Sequence, residues 1–356
     1  MDNNYKIVEN DLKSFCVDVL KKFGMIEEDA NTMSSHLVRA DKWGINTHGT
    51  KNLFGYVQKA LAKGVSFTNQ PEYIYEFASI ALLDARNCMG YLAATKAMEK
   101  ACEMATINGI GMVCVKNSSH YGAGACYANI AAEKGLIGIA LSNVDKKMTI
   151  PGSKGMVMGH NPFTLAAPAN VIPSVFLDSS SSNISSLRVL KAKENHETIP
   201  YDWICDKDGI PTNDPSHYPE EGALLPLGGN HKGYGIALFI DILTGVMGSS
   251  LNSISDNIPS WCFDLDKPNM VSHTMIAINP NLICPDFKER IDKLIRDTHN
   301  LPKAKNVSNI FVPGERAWAK FKKNEEDGTV LLPSDVVGEL SKLERLANIE
   351  LKKKRI

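Results

Sequence analysis

Two histidines stand where a side chain can meet a ligand. His120 lies in Lys116-Asn117-Ser118-Ser119-His120-Tyr121-Gly122-Ala123-Gly124, between an expected strand end and an expected helix start. Loops at such junctions are exposed while the flanking elements stay rigid. The free amides of a helix start also favour an anionic ligand. His48 lies in Gly44-Ile45-Asn46-Thr47-His48-Gly49-Thr50, a break between two expected helices. Imidazole titrates near neutrality, so either residue is suited to giving or taking a proton. Each also has a conformational explanation. Asn, Ser and Gly build turns for backbone reasons, and a histidine in a helix break can act as a cap. A third stretch, Gly228-Gly229-Asn230 followed by His231-Lys232-Gly233-Tyr234-Gly235, opens an expected helix. A lysine and free amides together there suit a phosphate or carboxylate. A glycine-rich turn with a solvated lysine accounts for the same residues.

Several common catalytic signatures are missing. There is no Walker lysine loop. Gly122-Ala123-Gly124 imitates the start of G-x-G-x-x-G at the right kind of junction, but the third glycine position is Tyr127, so the Rossmann fingerprint is not met. The nine histidines are scattered, with no H-E-x-x-H and no pair close in sequence, so no metal site is expected. No G-x-S-x-G is present, and the serine run at 179–182 reads as a loop or ligand cradle rather than a nucleophile site. The net charge of -1 gives no global reason to expect nucleic acid or an anionic membrane as partner. Lys352-Lys353-Lys354-Arg355 reads as a solvated helix terminus. Among the eight cysteines there is no C-x-x-C pair, and several fall at apolar positions, as reduced core residues do. Residues 1–12 are polar and charged, unlike a secretory signal. No apolar run is long enough to span a bilayer. A reducing cytoplasm is the expected setting.

The candidate groups need a scaffold, and hydrophobic periodicity supplies one. Helical spacing marks residues 11–23, 27–43 and 53–61, each stopped by a glycine. After Pro71 the pattern changes: strand 79–85, helix 91–108, strand 110–115, helix 123–134, strand 136–142, then strands 163–167 and 175–177. Such alternation predicts an α/β layer. Residues 178–221 are polar and turn-rich and read as long loops, which are usually functional or mobile. A helix over 231–248, a strand over 272–278, a helix over 286–299 and a last helix capped by Ser334 complete the chain. The expected division is an α/β domain over 76–254 and a discontinuous, mainly helical outer domain over 1–75 and 255–356.

Taken in order, the motifs resemble the malate/L-lactate dehydrogenase family that is distinct from the Rossmann-type lactate dehydrogenases. It includes sulfolactate, ureidoglycolate and diketogulonate oxidoreductases and a cyclic-imine reductase. Members carry S-H-G after the second helix, here Thr47-His48-Gly49, and N-S-x-H-F/Y-G, here residues 117–122. They carry P-x-G-G then G-T-N-P, here Pro151-Gly152-Ser153-Lys154 then Gly159-His160-Asn161-Pro162. An aspartate with small residues after a strand is Asp178-Ser179-Ser180, and G-x-K-G-Y-G-L is Asn230-His231-Lys232-Gly233-Tyr234-Gly235-Ile236. A late P-G-E recurs as Pro313-Gly314-Glu315. The resemblance covers nearly the whole chain, and six ordered motifs are more specific than any one of them.

That resemblance implies a non-Rossmann nucleotide-binding α/β domain, NAD or NADP as cofactor, and reduction of a small 2-oxo acid or oxidation of a 2-hydroxy acid. It also implies a homodimer with active sites near the subunit interface. The stretches matching the cofactor site are Asp178, Ser179 and Ser180, Lys232, and Gly314, Glu315 and Arg316. His48 and His120 match the proton-transfer groups. His48 is taken as the acid/base and His120 as the group that orients or shares the proton; the reverse assignment stays open. Thr47, Asn52 and Tyr56 are expected at the substrate.

Departures from the family pattern bear on the substrate. Many relatives carry an arginine four residues after the first histidine, suited to gripping a carboxylate as a fork; here Asn52 stands there, beside Lys51. Thr47 replaces a serine, His160 a threonine, and Ser153-Lys154 disturb a glycine pair. These changes keep alternatives in play: reduction of a cyclic imine or a diketo sugar acid, or a nucleotide-binding homologue without catalysis. A histidine- or metal-dependent lyase or hydrolase would need a donor cluster or activated nucleophile that the spacing does not supply.

Overall fold

The computed structural model describes residues 4–355. The chain opens with strand β1 (Asn4–Val8), which pairs antiparallel with β14 (Thr329–Pro333) and β15 (Lys354–Arg355), so both ends of the chain meet in one small sheet. With two residues β15 has no period to show, and β1 buries just Ile7, so neither is legible in the sequence. Helices α1 (Glu9–Lys22) and α2 (Glu27–Lys42) follow where the apolar stripes predict them, burying Leu12, Phe15, Val19 and Leu20 of α1 and Met33 and Leu37 of α2. Both carry acidic residues in the first turn and basic ones in the last, which suits the helix dipole. Two short 3-10 turns, Asn46–His48 and Thr50–Asn52, lead into α3 (Leu53–Leu61).

The central element is a seven-stranded mixed sheet. Its members in chain order are β2 (Glu72–Phe77), β3 (Ile80–Asp84), β4 (Ile110–Ser118), β5 (Ile137–Ser142), β8 (Phe163–Pro168), β9 (Ser174–Ser179) and β13 (Val271–Ile278). Their spatial order is β2-β3-β4-β13-β5-β8-β9. The right neighbour for β4 is therefore a strand some 150 residues later in the chain by number. β13 pairs antiparallel with β4 on one side and β5 on the other, with His273 opposite Val115 and Ser142. A division at residue 255 would set this strand with the outer helices; in the structure it lies mid-sheet. Helices α4 (Gly90–Asn108) and α5 (Gly124–Glu133) cover the sheet through alanine-rich faces. α8 (Phe287–His299) packs against β8, while α9 (Glu315–Asp327) and α10 (Ser334–Ala347) pack back on α2 and on α1 and α3.

Residues 178–221 are not plain loop. They contain α6 (Ser186–Glu194) and, with neighbouring segments, part of a five-stranded sheet of order β11-β10-β12-β6-β7. Its strands are β6 (Lys146–Met148), β7 (Met158–Gly159), β10 (Ile204–Cys205), β11 (Pro211–Thr212) and β12 (Ala223–Leu224). Val189 and Ala192 are the buried residues of α6, too few to show helical period. They join Met148, Met158, Ile204 and Leu224 in a separate apolar cluster. α7 (His231–Asp241) begins as expected and passes into a π-helical turn, Ile242–Val246. Among the described residues no helix is long and apolar enough to cross a membrane.

Candidate active site

The turn that carries His48 is organised from beneath. Asp41, buried near the end of α2, accepts the backbone N–H and the hydroxyl of Thr50 at 2.9 and 2.6 Å, and the Asn46 amide at 2.9 Å. A Cβ on Gly49 would sit 2.0 Å from Asp41 Oδ1, so only glycine lets the turn close over this carboxylate. Burial raises the Asp41 pKa to about 6 despite these donors. His120 arrives from the other side, in the loop between β4 and α5.

The fold brings the two histidines face to face. Their rings are stacked, with centroids 5.9 Å apart and planes at 22°. The Tyr56 hydroxyl lies 2.7 Å from His120 Nδ1 and 3.3 Å from the Tyr91 hydroxyl. Trp261 lies flat on the His120 ring at 4.7 Å and also contacts Tyr56 at 5.1 Å. His48 Nδ1 is 2.9 Å from the Thr47 hydroxyl, and the Asn52 amide donates to the Thr47 carbonyl at 2.9 Å. Thr47, Asn52 and Tyr56 thus gather around the pair. Lys51 turns away and pairs with Asp335 at 2.7 Å.

Electrostatics favour a neutral pair. Burial holds the His120 pKa well below the ordinary value, and His48, His273, His160 and Lys147 push it the same way. Burial also lowers His48, but Asp178 acts in the opposite direction there. Charge is therefore easier to place on His48 than on His120. Two stacked imidazoles disfavour double protonation, so the pair carries at most one positive charge near neutrality. Burial keeps the Tyr56 phenol protonated.

The residues matching the cofactor stretches lie along β9 and its exit. The Asp178 carboxylate accepts the Ala125 N–H at 3.0 Å, at the start of α5, and the Thr164 hydroxyl at 2.7 Å. Ser179 and Ser180 hydrogen-bond within the serine run, to the Ser180 carbonyl at 2.9 Å and the Ser182 hydroxyl at 3.0 Å respectively. Ser181 connects that run to the next turn by accepting the Leu227 N–H at 2.8 Å. There Lys232 is exposed in the first turn of α7, whose Asn230 caps the Lys232 N–H at 2.9 Å. At the other end of β9, Gly314 has φ +85°, and its Cβ would meet Phe176 at 2.6 Å. Glu315 pairs with His299 at 3.0 Å and accepts the Val312 N–H at 3.0 Å, while exposed Arg316 lies over Phe311.

Sequence reasoning did not single out Asp41, Tyr91, Lys59 or Trp261. Lys59 donates from its buried ammonium to the carbonyls of Asp264 and Lys267 at 2.8 and 2.7 Å, which pins the loop bearing Trp261. Its one sequence signal is a lysine three residues after Tyr56 on the inward face of α3. Among the described residues no group of three or more His, Cys, Asp or Glu is placed to hold a metal ion.

Comparison with known proteins bears on this arrangement. The pattern that describes malate/L-lactate dehydrogenase matches residues 7–341. Malate dehydrogenase of Pyrococcus abyssi is 33% identical over 98% of this chain and 97% of that protein. Ureidoglycolate dehydrogenase (NAD(+)) of Escherichia coli is 30% identical over 91% of each. The solved structure of malate dehydrogenase from Pyrococcus horikoshii superposes with a TM-score of 0.87 at 30% identity, covering 98% of this chain and 97% of that one.

Proposed function

Because this chain belongs to the malate/L-lactate dehydrogenase family, we propose that it is an NAD- or NADP-dependent oxidoreductase acting between a small 2-oxo acid and its 2-hydroxy acid. The observation that carries this reading is the stacked His48–His120 pair with Tyr56 on His120 Nδ1. The names of the relatives, hydroxy acid dehydrogenases and one NAD(+)-dependent enzyme among them, support it.

The nicotinamide cofactor supplies or accepts the hydride when bound. This chain's residues manage the proton and the geometry. His48 takes the proton from the substrate hydroxyl in oxidation and returns it to the oxygen in reduction. Asp178 helps His48 bear the charge. Tyr56 fixes the His120 ring, so that His120 orients the substrate oxygen or shares the proton. Trp261 covers the His120 face and keeps water from it.

The cofactor stretches fit a dinucleotide. Lys232, at the start of α7, suits a pyrophosphate, and the buried Ser181 hydroxyl in the run that leads to that turn has no hydrogen-bond partner. Asp178 to Ser180, Lys232, and Gly314 to Arg316 would line that site. We place a homodimer contact on the exposed apolar face of α7 and its π turn, formed by Ile236, Phe239, Ile242, Val246 and Met247. The eight unpaired cysteines suit a reducing cytoplasm.

The test is oxidation of NADH and NADPH against a panel of 2-oxo acids, diketo acids and cyclic imines. Turnover of a 2-oxo acid is expected. Turnover of a cyclic imine alone would move the assignment to that class, and no dinucleotide binding would overturn it.

A further inference from the structure

A second polar group, not used by the chemistry above, lies within electrostatic reach of the histidine pair: Lys147 pushes the His120 pKa down, and His48 does the same to His160. Lys147 and Asp145 form an ion pair at 2.8 Å, with side chains only 20% and 13% exposed. Asp145 lies just before β6 and Lys147 within it. In the β6–β7 pairing Lys146 faces Gly159, the residue before His160, and both Lys147 and Asp145 act electrostatically on the His160 ring. His160 Nδ1 is buried without a hydrogen-bond partner. So is the hydroxyl of Ser181, whose N–H donates to the His160 carbonyl at 3.1 Å. One loop spans both groups: Trp261 lies on His120, and two residues later the Phe263 ring is 5.9 Å from the Lys147 ammonium.

Resting on the oxidoreductase reading, we infer that Asp145, Lys147 and His160 form the subsite for the far end of the substrate, and that this subsite selects a carboxamide-like group over a second carboxylate. The charge on Lys147 is already matched by Asp145. A carboxylate placed there would accept from Lys147 while facing the oxygens of Asp145, like charge against like. A carboxamide accepts from Lys147 and donates to Asp145, leaving no charge unmatched. Burial, reinforced by Lys147, lowers the His160 pKa to about 4, so His160 offers a neutral ring nitrogen rather than a cation. Asn52, whose amide donates to the Thr47 carbonyl next to His48, is also neutral, and the adjacent Lys51 is held by Asp335.

The test compares kcat/KM for oxaloacetate and its near-isosteric amide, 2-oxosuccinamate, with pyruvate as the substrate lacking a tail. The wild type is expected to prefer the amide by roughly tenfold or more. Asp145→Asn removes the like charge and should move the ratio toward oxaloacetate. Lys147→Gln leaves Asp145 unmatched and should move it further toward the amide. Opposite movement in two variants is a readout that general loss of structure does not produce, and circular dichroism of each checks the fold. A wild-type preference for oxaloacetate, or a ratio that neither variant changes, overturns the inference. Turnover of pyruvate alongside such a result would leave the oxidoreductase reading standing. No turnover of any of the three with either cofactor would overturn the inference, and absence of dinucleotide binding would overturn the oxidoreductase reading with it.

Discussion

The histidine cluster and the strip along β9 are built in different ways. In the cluster, each group is held by another group of the cluster: Tyr56 holds His120, Trp261 covers it, and Asp41 ties down the turn of His48. Along the strip, side chains mostly serve the scaffold: Asp178 caps α5, Glu315 closes its own turn, and Lys232 projects into solvent. The contrast follows from the two tasks. Proton transfer needs a group fixed within hydrogen-bond reach of one atom. A long dinucleotide can be held by many modest contacts spread over several elements, each with a structural role of its own.

This comparison predicts effects of very different size. His48→Ala and His120→Ala should each lower turnover by about 10²–10⁴-fold, with dinucleotide affinity kept, as read by NADH fluorescence. Loss of cofactor binding in either variant would place that histidine in the strip instead. The pH dependence should follow the same pair. Burial lowers both histidine pKa values below the ordinary 6.5, so reduction, which needs the protonated form, should gain rate as pH falls toward that region. Oxidation should level off by neutral pH. A rise of oxidation continuing well above pH 7 would exclude these groups as the base.

Smaller effects concern stability. His36 and His273 are buried and neutral, each with its pKa lowered to about 3 by burial. The unfolded chain takes up protons on these residues near pH 6.5 and the folded chain does not, so their contribution to stability is lost as pH falls from about 6.5 toward 3. Thermal unfolding between pH 7 and 5 measures this. Gly314→Ala should cost about 1–3 kcal/mol, because the residue sits at positive φ against Phe176; an unchanged melting temperature would show that the turn can shift. Lys232→Ala should change the melting temperature little and weaken dinucleotide binding by a few-fold, about 0–1 kcal/mol for an exposed charge. A loss as large as that of the histidine variants would erase the distinction between the two regions.

Much of the scaffold is legible along the chain. Stripes such as Leu12-Phe15-Val19 and the alanine face of α4 report their helices, and the apolar run before Asn117 reports β4, because a side chain's burial repeats with the period of its own element. The helix over Ser186–Glu194 is not legible, since just Val189 and Ala192 are buried. The mid-sheet place of β13 is not legible either: a strand's pattern says that it is buried and not which strands flank it. Motif order marks both histidines, yet the lysine that pins the Trp261 loop looks like any lysine on a helix.

Residue order by itself determined the elements, the approximate positions of the two histidine loops and the family resemblance, because these are encoded by neighbours a few residues apart. Tertiary structure alone decided that His48 and His120 stack, that Tyr56 reaches across 64 residues to His120 Nδ1, and that Trp261 lies on the His120 ring. Such contacts depend on where separate elements dock, and docking is set by the summed burial of whole faces rather than by any local spacing.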